Sequence, residues 1–89
     1  MAILLPPTQF DFPPAVPVIE RVLGMNEVHR FCNARAGQAG DMGQTWGCSW
    51  KEGGKCYVVR VDNESVRRHE LAHCNGWPHD HPGGWGVSY

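Results

Sequence analysis

His69 and His73 stand four residues apart, with Glu70 directly after the first, in the run RRHELAHCNGWPHDHPGGW. This run spans residues 67–85 and holds four of the chain's five histidines. On a helix, that spacing projects both imidazoles from one face about one turn apart, where they can bind a single metal ion. Glu70 then lies near the ion without having to ligate it, placed to accept a proton from an attacking water and hand it to a leaving amine. A catalytic zinc site needs a third protein ligand and an open position for water. Six residues beyond His73, an unbroken helix would carry a histidine about 9 Å further along its axis, too far to share the ion. Gly76 removes that difficulty by taking a positive φ, and Pro78 is expected to keep the next segment extended so that His79 returns to the ion. His81 has the same parity in an extended segment and is the alternative third ligand, with Asp80 turned away or supporting a histidine.

His79 is preferred because His69, Glu70, His73, Gly76 and His79 fill every fixed position of the longer pattern His-Glu-x-x-His-x-x-Gly-x-x-His. Here the sequence resembles the zincin metallopeptidases, the metzincin clan in particular. The phrase HELAHCNGW is also similar to small bacterial, phage or plasmid-borne metallopeptidases. The resemblance implies a zinc-dependent endopeptidase acting on a peptide or protein substrate, with one catalytic zinc ion on His69, His73 and His79. Glu70 is then the general base toward a zinc-activated water. The match covers eleven residues directly and implies the element order of a zincin upper subdomain: backing helix, sheet, active-site helix. Metzincins follow the third histidine with a lower subdomain and a methionine-containing turn, whereas Met1, Met25 and Met42 all precede it here. Trp77, Trp85 and Tyr89 are expected to furnish a reduced floor, and Tyr89 to help polarise a substrate carbonyl. The absent lower half motivates a rival expectation, a non-catalytic zinc-stabilised binding module whose site is closed by a fourth ligand.

The helix that must carry this motif is DNESVRRHELAHCNG, capped by Asp62 or Asn63 and stopped by Gly76. Glu64 sits in its first turn, where the helix dipole favours negative charge. A second helix is expected over Glu27–Ala36: Asn26 can cap it, Val28, Phe31, Cys32 and Arg35 recur at three and four spacing, and Gly37 stops it. TWGCSW and KCYVVRV, joined by the turn-like KEGG, read as a β-hairpin, and VPVIERVLG as a further strand. AGQAGDMGQ reads as a loop. His29 reads as a structural histidine, and Trp46 and Trp50 as packing residues in the core or hairpin rather than a substrate platform. The expected class is α+β, a small zincin-like domain over residues 18–89. Residues 1–17 carry five of the seven prolines and form a proline-rich arm extended over the surface, anchored by Phe10 and Phe12.

The chain's 89 residues bury a core near the lower limit for unaided folding. Its four cysteines fit two disulfides or a structural metal, and the absence of a Cys-x-x-Cys knuckle favours disulfides. A strand from Cys56 followed by a helix returning to Cys74 suggests that pair, leaving Cys32 with Cys48; Cys48 with Cys56 across the hairpin is the alternative. This usage favours a secreted or periplasmic setting, although the opening residues do not read as an intact signal peptide. No apolar stretch approaches the roughly 20 residues of a bilayer span. Eight Lys and Arg are offset by nine Asp and Glu, so nucleic acid is not an expected partner.

Overall fold

The structure, a computed structural model, describes residues 2–35 and 46–88. Its strands are β1 (Ala2–Leu5), β2 (Val18–Val22), β3 (Gly47–Glu52), β4 (Lys55–Arg60) and β5 (Trp85–Ser88). Its helices are α1 (Met25–Arg35) and α2 (Glu64–Cys74), with one 3-10 turn at Thr8–Phe10. The result is a small mixed α+β fold with two sheets and two disulfides.

β3 and β4 form the expected antiparallel hairpin, closed through Gly53 and Gly54, and β2 lies parallel to β4 on its other side. Side chains alternate across a strand, so adjacent residues of β4 serve opposite layers. Val59 joins the core cluster that holds Val28 and Cys32 of α1, whereas Cys56 and Val58 pack with Cys74 of α2. Each layer is stapled by one of the expected disulfides, Cys32–Cys48 between α1 and β3 and Cys56–Cys74 between β4 and α2. Two disulfides in so small a core fit an oxidising, extracellular-type environment. Among the described residues, no helix is long and apolar enough to cross a membrane.

α1 starts two residues before the expected position. The Gly24 carbonyl accepts the first helical bond from Val28 N–H, and Glu27 Oε1 reaches back to Gly24 N–H at 3.3 Å, so Gly24 rather than Asn26 occupies the cap. The glycine-rich segment that follows, including Gly37, lies outside the described residues.

The first residues are more than a surface arm. β1 pairs antiparallel with β5 in a second sheet and packs against α2, and Ile3 and Leu5 are buried. Beyond it Phe12 is exposed, and the chain is held instead by its backbone and by one ion pair: Asn75 Nδ2 donates to the carbonyls of Phe10 and Phe12, and the Asp11 carboxylate pairs with Arg68.

Candidate metal centre

α2 is fixed at both ends before its side chains are considered. Asn63 Oδ1 accepts from Ser65 N–H at 2.9 Å and Val66 N–H at 3.1 Å, which caps the first turn. At the other end Trp77 N–H donates to the Ala72 carbonyl and Gly76 N–H to that of His73, the paired bonds of a Schellman ending. Gly76 carries the φ of +96° that this ending requires. The chain therefore turns back toward the helix face that bears His69 and His73.

Beyond Gly76 the course differs from the extended segment the sequence suggested. Residues 78–81 form a tight turn, with His81 N–H donating to the Pro78 carbonyl at 2.9 Å and His81 itself at φ +58°. The alternation that would aim His79 and His81 in the same direction is lost. His69, His73 and His81 form the group in which one ligand atom from each lies within 4.8 Å of the others, close enough to hold a metal ion. His79, the preferred third ligand from the motif, is exposed and stacks its ring on His73, centroids 4.3 Å apart.

The imidazoles are oriented as ligands. His69 Nδ1 lies 2.6 Å from the Leu4 carbonyl and His73 Nδ1 lies 2.8 Å from the Trp77 carbonyl. A carbonyl only accepts, so both Nδ1 atoms carry the proton and both Nε2 atoms present lone pairs. Those two Nε2 atoms stand 3.2 Å apart. Two facing acceptors repel unless a cation or proton lies between them, and tetrahedral ligation at about 2.05 Å would separate two nitrogens by about 3.3 Å. The donor set and its spacing therefore fit a small divalent ion. Burial pushes His73 down to about 4, opposed by its bond to the Trp77 carbonyl and reinforced by the neighbouring histidines. Burial likewise lowers His69 against the pull of the Leu4 carbonyl, and it lowers His81, where the neighbouring His79 ring adds to the effect and the Asp80 carboxylate opposes it. These directions favour neutral imidazole, the form that binds metal.

Glu70 is buried between α2 and β3, 5% exposed. Burial pushes its carboxyl up to about 7, with the Ser49 hydroxyl beside it pulling the other way. That hydroxyl is itself buried and, among the described residues, meets no partner in full hydrogen-bond geometry. The approach of the strand depends on Gly47, where a Cβ would come within 3.1 Å of Glu70 Oε2 and of Val66 Cγ1. A carboxyl poised near neutrality beside a cluster of imidazoles is suited to receive and return a proton.

Two clefts meet at His69 and Glu70. One, of about 430 Å³, runs past His73, His79 and His81 to the four consecutive β3 residues Gly47–Trp50 and to Arg35 at the end of α1. The other, of about 240 Å³, is walled by Ile3, Leu4, Trp46 and Val66. Trp77 packs against the cluster, 1% exposed, stacked on His73 and edge-on to His69 and His81. Its indole N–H donates to the Pro82 carbonyl at 2.9 Å. Trp85 is half exposed and bonds to the Pro6 carbonyl; Tyr89 lies outside the described residues.

His29 contacts Asn33 one turn along α1, and Trp46 and Trp50 pack against the core, as their sequence contexts suggested. The Leu4 carbonyl, Ser49 and Gly47 were invisible in the motif because backbone acceptors and strand approaches leave no signature in local sequence. Arg35 did leave one: it falls at helical spacing on the same face as Val28, Phe31 and Cys32. Comparison with protein-family models, with curated proteins and with solved structures found no match.

Proposed function

We propose that this protein is a zinc-dependent peptide hydrolase. The observation that carries the proposal is the convergence of His69, His73 and His81 within 4.8 Å of one another, beside a buried Glu70 on the same helix. Bound there, zinc supplies Lewis acidity toward a carbonyl and acidifies water. Glu70 takes the proton of the attacking water and returns it to the leaving amine, a cycle that its raised pKa favours at neutral pH. The Leu4 and Trp77 carbonyls hold His69 and His73 in the ligating tautomer. Trp77 keeps solvent from beneath the cluster, and the apolar cleft beside His69 offers room for one substrate side chain. The resemblance of HELAHCNGW to metallopeptidase motifs supports the same reading.

The test is Glu70→Gln. The zinc-loaded parent is expected to cleave members of an internally quenched peptide library, and the variant to retain zinc while losing at least about 100-fold in kcat/KM. Equal cleavage by both proteins, or cleavage that survives removal of the metal, would overturn the proposal.

The stacked His79 motivates a second reading, in which it provides a fourth nitrogen and zinc serves only to hold a binding module together. That reading requires a closed coordination sphere and no hydrolysis.

A further inference from the structure

We infer that Arg35 is a positioning residue that receives a carboxylate of the substrate, which makes peptides bearing a negative group the ligands of the larger cleft. This rests on the reading of that cleft as a peptide site. Cys32 is disulfide-bonded to Cys48 of β3. Arg35 follows it by three residues, so the same face of α1 that is stapled to the strand carries the guanidinium to the cleft. There the guanidinium lies over the Trp50 ring, 3.7 Å from its centroid. Trp50 is itself held, stacked on Tyr57 with centroids 5.4 Å apart and planes 9° from parallel.

Stacking occupies the flat face of a guanidinium and leaves its N–H donors in the plane, directed sideways. Among the described residues no carboxylate pairs with Arg35, whereas Arg60, Arg67 and Arg68 each have one. A stacked fork with no carboxylate partner among the described residues matches a carboxylate in two parallel hydrogen bonds. The cleft that leads from it to the histidines takes in four consecutive residues of β3. Successive residues face opposite sides, so the cleft follows the strand's edge away from β4, which meets no other described strand. A peptide lying there would have its negative group at Arg35 and a backbone amide at Glu70. The carboxylate can be the C-terminus or an acidic side chain.

Calorimetric binding of three N-acetylated tetra-alanine probes to zinc-loaded protein distinguishes these sources. One ends in a carboxylate, one in a carboxamide, and the third is amidated with aspartate in place of one alanine. Parent protein is expected to bind at least one anionic probe about tenfold tighter than the neutral one. Arg35→Met, which keeps the stem over Trp50, should abolish that preference, and Arg35→Lys should retain part of it. Preference for the terminal acid assigns the C-terminus; preference for the aspartate probe assigns a side chain. Equal binding of all three, a preference unchanged in Arg35→Met, or no binding at all overturns the inference. A carboxylate preference that depends on Arg35 in a protein without hydrolytic activity would uphold it while sinking the proposed function.

Discussion

Replacing His81 by alanine is expected to weaken zinc binding by more than about 100-fold, whereas His79→Ala should cost less than about tenfold. Competition titration against a chromophoric chelator measures both, and the reverse order would restore His79 to the ligand position that the motif assigns it. The distinction turns on one turn of backbone. Read as letters, His69, His73 and His79 have the spacing of a complete ligand set. Read as atoms, the turn over residues 78–81 brings His81 into the group and leaves His79 stacked on His73. Residue types and helical spacing fix what a regular element presents, but a turn's hydrogen bond and a positive φ at a histidine are decided by the packing around them.

α2 shows what was legible at the scale of an element. Its end at Gly76 was readable, and its cap was narrowed to Asp62 or Asn63, of which Asn63 holds the position. Its preferred disulfide partner is the observed one. Each follows from local chemistry or from the length of strand and helix between two cysteines. Asn63→Ala should therefore cost about 1 kcal/mol in thermal or chemical unfolding, and removal of the Cys56–Cys74 bond by a double serine substitution about 3 kcal/mol. The partnership of β2 was not readable, since nothing in VIERV names a distant strand. Its register now rests partly on Glu20, which bonds to Arg60 of β4 and Arg67 of α2. Burial raises the Glu20 pKa, but the two arginines outweigh it and hold the carboxyl below its ordinary value of 4.5. Its contribution is then complete above pH 4.5 and is lost as pH falls through the lower folded value. Being partly exposed, the network should supply less than about 1 kcal/mol. Unfolding curves of Glu20→Gln and parent should converge as the pH is lowered through that range; a gap that widens in acid would contradict the assignment.

For the molecule as a whole, the least expected link joins β1 to the helix that bears His69 and His73. β1 pairs with β5, packs on α2 and lends the Leu4 carbonyl to His69. Composition reads residues 1–17 as an arm because proline dominates them, and the three buried side chains described within it, Ile3, Leu5 and Pro6, are too few to form a pattern. Deleting residues 1–5 should weaken zinc binding about tenfold even at temperatures where the remainder stays folded, as loss of a ligand's supporting acceptor does elsewhere. Unchanged affinity would mean that His69 needs no such support. The apolar cleft opens at His69 and Glu70, and the arginine-ended cleft runs from them past His73 and His81. The most direct test of the metal centre is a structure of the zinc-bound protein with a peptide hydroxamate. The expected result is zinc held by His69, His73 and His81 with the hydroxamate oxygens completing its coordination. A sphere closed by His79 that excludes the hydroxamate would contradict it.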